Sequence, residues 1–487
     1  MVRIRYKVSF AKGAENVSWY AKAVAKMKTR PAMDPTSWAF QGAIHGYAPG
    51  TNPWPSLVNP PRPGEPNWNE CQHQTWFFLP WHRGYLACFE AIVAAAVKEL
   101  GGPSDWALPY WDYSSGAPNA RKMPRAFLDG GSSNPLWAPR RRQWDTDPNF
   151  ELNAGYVDTG PALGNGTFPS GGMGVPAGFG GPVTDFMHYG VRAGYSSGAL
   201  ENQPHNLVHD NISGWMGNPD TAALDPIFWL HHANIDRLWE VWVQRWGAGA
   251  NPGQPRWRSG TTFRLFEAGG NRYTFNANDM IDTRAILGGY EYDDPAPKGV
   301  LRKAMDIVAA ATESAMAGDE ERKAQLVGAS APGIRLTGAS VRTTVRLDAP
   351  ALRLPSALES ASAEAPDRRL YLNVENVTGL ANGTVYRVMV RAPGASEAVH
   401  AGYISAFGSG PRGHGEAGGS STALDVTEAV SGGPSSLLET AAAGPAELEV
   451  LFERDLEPNE PEENRSLLES APAQTLAEIG RVSLYSN

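Results

Sequence analysis

The sequence predicts an α + β protein of two domains, a mainly helical one followed by an antiparallel β-sandwich. Six of the ten histidines form two triplets, His45, His73 and His82, then His205, His209 and His232, embedded in aromatic, apolar sequence of helical spacing. Beyond about residue 340 that spacing gives way to short alternating runs. At 487 residues the chain also exceeds what one hydrophobic core usually serves. The expected division is 1–295 for the helical domain, 296–339 for a linker with an Ala-rich, charged helix (302–327), and 340–487 for the β domain.

Residues 73–90 read HQTWFFLPWHRGYLACFE. Pro80 is expected to end the preceding structure, with a helix from about Trp81 to Leu100. On it His82, Leu86, Phe89 and Val93 share one face, so His82 points into the core. His73 must come from a less regular segment, and His45 from a separate element. The long Gly/Pro loop 154–182, between the triplets, suits a wall or lid.

In the second triplet Pro204 suits a first helical turn, and His205 and His209 then sit at i and i+4, facing one way. Within 223–246 Asp225 can cap a helix and Pro226 can take its first position. Phe228, His232, Ile235, Trp239, Trp242 and Trp246 form one stripe, while His231 is turned away by roughly 100°. His231 is therefore the poorer candidate ligand. The alternating runs of the β domain are 340–347, 369–377, 385–392, 422–430, 446–454 and 481–486. The stretch 454–463 is an expected exposed acidic loop, and Arg140–Arg142 an expected solvated one.

Three imidazoles suit one copper, zinc or iron ion and leave coordination positions open. Two such sets imply a paired-metal centre and point to copper and dioxygen. A zinc-peptidase reading of His205-x-x-x-His209 needs Glu after the first His, where Asn206 stands. The net charge of −9 is dispersed and gives no reason to expect nucleic acid, and no stretch approaches a membrane span. MVRIRYKVSF lacks the features of a signal peptide, so a cytoplasmic location is expected, with export on a partner or after loss of a leader as the alternative. Cys71 and Cys88 cannot make a disulfide framework.

His73, Phe78, Trp81, His82 and Arg83, with Glu90 following, resemble the first signature of the type-3 copper family of tyrosinases, catechol oxidases and molluscan-type haemocyanin units. Asp225, Pro226, Phe228, His232 and Asp236 resemble the second, which also favours His232 over His231. The resemblance implies a central four-helix bundle holding one copper on His45, His73 and His82 and another on His205, His209 and His232. It implies O2 as co-substrate, small phenols as substrates, monophenol hydroxylation and oxidation of o-diphenols to o-quinones. Catechol oxidase or o-aminophenol oxidase without monophenolase activity is the alternative, and a haemocyanin-like oxygen carrier a more remote one. A Tyr-x-Tyr pair closing the helical domain is matched by Tyr290 and Tyr292, with Arg3 or Arg5 packed on it.

Cys71, two residues before His73, matches the fungal-type spacing for a thioether, against the alternative of a free buried thiol. Glu201 and Asn206 resemble the plant-type pair that holds a water able to take a phenol's proton; Glu201 also suits a helix start. Phe228 resembles an aromatic gate in the substrate pocket, with a residue of 212–224 as the alternative roof. Asp210 is a second pocket candidate, disfavouring carboxylated phenols. Asp236 either orients a ligand ring or pairs with Arg237 or Arg83 on the surface. The β domain is expected to cover the active-site mouth, with Tyr403 or Phe407 as the plug.

Overall fold

The computed structural model describes residues 2–139, 141, 144, 147–170, 178–184, 196–294, 324–337, 340–348, 369–379, 383–408, 419–430, 446–455 and 475–486. They fall into two units, one reaching to residue 294 and one from 324 onward, with Ser170, Ser196 and Ser197 belonging to the second. The expected helix 302–327 lies outside the described residues up to 323, as do Arg140, Arg142, 171–177 of the Gly/Pro loop and 456–463.

Strand β1 (Arg3–Arg5) pairs in parallel with β2 (Tyr290–Tyr292), joining the two ends of the helical unit. Between them run the main helices α1 (Ala11–Lys28), α2 (Trp38–His45), α3 (Phe78–Glu99), α4 (Leu207–Ile212) and α5 (Ile227–Trp246). Helix α2 starts where the Ser37 hydroxyl accepts the Phe40 N–H. Helix α3 begins three residues earlier than Trp81. Pro80 sits in its first turn, where a missing N–H costs no helical bond. Asp225 accepts the Ile227 N–H at 3.1 Å, so α5 starts as expected. Ahead of α4 the turn Glu201–Asn206 is broken at Gln203 (φ −147°, ψ 123°), so no single regular helix runs on from Pro204.

The apolar faces meet in an aromatic core, in which Phe89 of α3 lies flat on Trp229 of α5. Behind it is a buried charge network. Arg5, not Arg3, packs on the tyrosine pair: its guanidinium lies 3.5 Å from the Tyr290 ring centroid. It donates to Glu90 at 2.7 Å, to the Tyr292 hydroxyl at 2.9 Å and to Asp236 at 3.1 Å. Asp236 also accepts from Arg83 and from both tyrosine hydroxyls and makes no hydrogen bond to a histidine among the described residues. It therefore neither orients a ligand ring nor sits on the surface, and Arg237 pairs instead with Asp112. Arg141, expected in a solvated loop, is wholly buried because it forms an ion pair with Asp225 at the head of α5.

The second unit is antiparallel, as alternation predicts. Its strands are β3 (Gln325–Ala329), β4 (Ile334–Thr337), β5 (Ser340–Leu347), β6 (Leu370–Thr378), β7 (Val385–Arg391), β8 (Val399–Ser405), β9 (Ser420–Asp425), β10 (Glu447–Arg454) and β11 (Thr475–Ser486). The hydrogen-bonded order is β8-β7-β10-β5-β3-β11-β6-β9, with β4 on β11. The two layers expected of a sandwich are thus one continuous sheet. Leu424 of β9 packs against Gly402 of β8, which brings the end strands together around a core that includes Val345, Leu372, Val388 and Val450. The sheet begins at 325 rather than 340. Strands β3 and β4 are too short to show a clear period of two in sequence.

Candidate metal centre

His45 closes α2, His82 stands in α3, and His73 comes from the irregular stretch between them. His205 comes from the broken turn, His209 from α4 and His232 from α5. All six are buried, His73 the most exposed at 5%.

A neutral imidazole carries one N–H, and the partner of Nδ1 decides which nitrogen bears it. His45 Nδ1 faces the Pro219 carbonyl at 2.9 Å, His82 Nδ1 that of Phe78 at 2.8 Å, and His209 Nδ1 that of Met216 at 2.7 Å. His205 Nδ1 faces Asn206 Oδ1 at 2.8 Å. These acceptors hold the proton on Nδ1 and leave Nε2 a lone pair. Yet the Nε2 atoms of His205 and His209 each lie 3.3 Å from Nε2 of His232. The lone pairs of His205 and His209 thus converge on His232 Nε2, and a cation placed among the three can take all three nitrogens as ligands. Their 3.3 Å spacing matches a tetrahedron edge around an ion with bonds to nitrogen of about 2.0 Å.

In the first triplet the ring centroids are 5.5–5.9 Å apart, and the ligand atoms cluster with the Cys71 sulfur within 4.8 Å of one another. The two sets adjoin: the His82 and His232 rings stack at 4.5 Å and 14°. Burial first, then the neighbouring imidazoles, push His82, His209 and His232 well below the usual histidine range. Burial brings His205 down to about 3 against the opposing pull of its Asn206 hydrogen bond. The rings are kept neutral and ready to bind metal.

Cys71 Sγ lies 3.5 Å from Nδ1 and 3.6 Å from Nε2 of His73, so it faces the plane bisecting the ring through Cε1. It is also 3.4 Å from His82 Nε2. Glu201, 1% exposed, accepts the Gln74 N–H with both carboxylate oxygens, at 2.8 and 3.0 Å, beside His73. Asn206 holds the ring of His205, whereas the Glu201 carboxylate meets the backbone of the residue after His73. Phe228 is wedged between the triplets, 4.1 Å from His232 and 4.9 Å from His45 by centroid. Asp210 has no exposed surface, and contact with a substrate would need the wall around it to open. Tyr403 lies in β8 and Phe407 just after it, both buried.

Two features escaped sequence reasoning. The Met216 and Pro219 carbonyls hold one ring of each triplet, and backbone atoms leave no signature in side-chain pattern. His231, although turned from the stripe, packs on the second triplet, stacking on His205 at 5.3 Å while its Nδ1 meets the Tyr113 hydroxyl at 2.9 Å. The adjacent pair His231-His232 was the available signal.

Residues 35–171 and 179–245 match the common central domain of tyrosinase. Tyrosinase HcTyr1 of Hahella sp. (strain CCB-MM4) is 42% identical over 361 residues, covering 67% of this chain and 72% of that protein. The chain belongs to the tyrosinase family. A chloroplastic polyphenol oxidase of Vitis vinifera is 30% identical over 300 residues, 58% of this chain but only 46% of that relative. Two latent plant structures share the tyrosinase fold across the whole chain, an aurone synthase (TM-score 0.61, 17% identity, 89% of it covered) and an apple tyrosinase (TM-score 0.58, 19% identity, 97% covered). Residues 323–487 match a domain of unknown function. The two histidine clusters fit the binuclear type-3 copper centre of this family, whose enzymes use O2. No helix among the described residues is long and apolar enough to cross a membrane.

Proposed function

We propose that this protein is a dicopper tyrosinase that hydroxylates monophenols and oxidises o-diphenols to o-quinones with O2. The observation that carries the reading is the convergence on His232 Nε2 of the His205 and His209 lone pairs, whose protons are tied to acceptors on the other ring nitrogen. His45, His73 and His82 would hold one copper, and His205, His209 and His232 the other. Bound copper supplies the electron exchange with dioxygen that no side chain here can. The protein fixes the rings, keeps them unprotonated and surrounds them with apolar wall.

A phenol has a pKa near 10 and must lose its proton to bind as phenolate. Glu201 and Asn206 are the residues we assign to accept it, through a water polarised by carboxylate and amide. Phe228, fixed between the triplets, limits how a phenol ring approaches. Cys71 lies within 3.6 Å of both ring nitrogens of His73, close enough for a carbon–sulfur bond that would form with loss of one hydrogen from sulfur and one from the ring, O2 at the copper centre being the two-electron oxidant. Intact mass of the denatured, reduced protein measures that loss directly.

The deciding experiment combines metal analysis with oxygen uptake on catechol, tyramine and tyrosine. Two coppers per chain and uptake with all three phenols are expected. One metal per chain, or no uptake with catechol, overturns the reading. Glu201→Gln and Asn206→Ala should depress monophenol turnover more than diphenol turnover. An unchanged ratio removes the pair from monophenol chemistry.

A further inference from the structure

The dicopper reading accounts for the imidazoles but not for a file of redox-active rings leading away from them. Trp81 packs on His82 with centroids 4.8 Å apart, Tyr85 on Trp81 at 4.9 Å, Trp229 on Tyr85 at 4.7 Å, and Trp38 on Trp229 at 6.4 Å. The first three are at most 1% exposed, whereas Trp38 is 4% exposed and lies below the Lys28 ammonium, 5.6 Å from its ring. We propose that Trp81, Tyr85, Trp229 and Trp38 form a relay that carries oxidising equivalents from the metal centre outward to Trp38, the least buried ring of the file, when no phenol is in place. This rests on the dicopper reading, which supplies the oxidant.

The local chemistry suits that task. Electron tunnelling weakens exponentially with separation, so several short steps outrun one long one. An oxidised indole stays mobile as a radical cation only while it keeps its proton. The Trp81 and Trp229 N–H groups have no hydrogen-bond partner among the described residues, so nothing there takes the proton. The Tyr85 hydroxyl donates to the Gln41 carbonyl, which cannot accept the proton outright. Tyr85 therefore bridges two indoles rather than trapping the charge. One electron passes from Trp81 to the oxidised centre, one from Trp229 to Trp81 and one from Trp38 to Trp229. No proton moves along the file. The buried Trp38 cation is then reduced, across the Lys28 side chain that lies over it, by a diphenol in solution, which gives one electron to Trp38 and one proton to water and leaves as a semiquinone radical. The Lys28 charge discourages the hole from lodging at the exit.

The test follows copper-loaded protein through turnover of limiting catechol, counting turnovers before inactivation and mapping added oxygen by peptide mass. Wild type should carry oxidation on Trp38. Trp38→Phe should keep the initial rate, survive severalfold fewer turnovers, and shift oxidation to Trp81 and the ligand histidines. Trp38→Tyr should restore the lifetime, and Trp106→Phe, at a buried indole outside the file, should change nothing. A Trp38→Phe protein with the wild-type lifetime and oxidation map overturns the relay. Should that variant fail to fold, the wild-type map decides: Trp38 oxidation in copper-loaded but not metal-free protein supports the relay, and its absence overturns it. Absence of oxygen uptake by wild type with two coppers bound would instead sink the dicopper reading.

Discussion

At the scale of single residues, the most exposed to challenge is Asp236. Burial raises its pKa, but Arg83 and Arg5 together with the Tyr290 and Tyr292 hydroxyls outweigh burial and hold it below the usual carboxylate range. Removing the carboxylate takes one counter-ion from each of two buried guanidinia, leaving Arg5 with Glu90 and Arg83 with Glu240, a loss of about 3–5 kcal/mol. Asp236→Ala should show that loss in denaturant unfolding of the metal-free protein; a change within experimental error would refute the network's role. Asp236 also shows where sequence reading stops. Its spacing from His232 marks it as part of a signature, but its partners come from the far end of the unit and from α3. His82 and His232, by contrast, were legible because a helical period places them on an apolar stripe. Arg141 misled, since a run of three arginines reads as solvated until Asp225 supplies a buried partner.

At the scale of elements, α2 and α3 position the first triplet, and their termini and contacts set how firmly. Ser37→Ala removes the cap of α2, whose last residue is His45, and should cost about 1 kcal/mol. A scan of thermal unfolding measures it. Gly84 lets α3 lie against the strand Arg272–Phe275: a Cβ there would run into the Phe275 ring. Gly84→Ala should destabilise by about 1–3 kcal/mol through overpacking, although alanine is the better helix former. A more stable variant would mean the ring moves aside freely. Helix identity was readable from periodicity, whereas the break at Gln203 was not, because local pattern around His205 and His209 mimics a regular helix. The short strands β3 and β4 went unseen for the complementary reason, having too few residues to declare a period.

At the scale of the whole molecule, the buried imidazoles couple stability to acidity and to metal. Five of them, His82, His205, His209, His231 and His232, have folded pKa values below the unfolded one, with burial the leading cause. The unfolded chain therefore binds protons that the folded chain refuses. Stability is full above about pH 6.5 and drains as pH falls below it, by about 1.4 kcal/mol per unit for each such group. Metal-free protein should show a Tm falling steeply between pH 7 and 5. A flat profile would show that these rings are solvated. Chelating the copper should lower Tm at neutral pH, since any ligand of the folded state alone stabilises it by mass action. The carbonyls of Met216 and Pro219 stand three residues apart in one loop, yet one steadies a ring of each set. Neither ring can tilt without the peptide between them passing the tilt to its counterpart. Ion spacing is thereby tied to covalent chain geometry, and the first ion to arrive leaves a cradle already shaped for its companion.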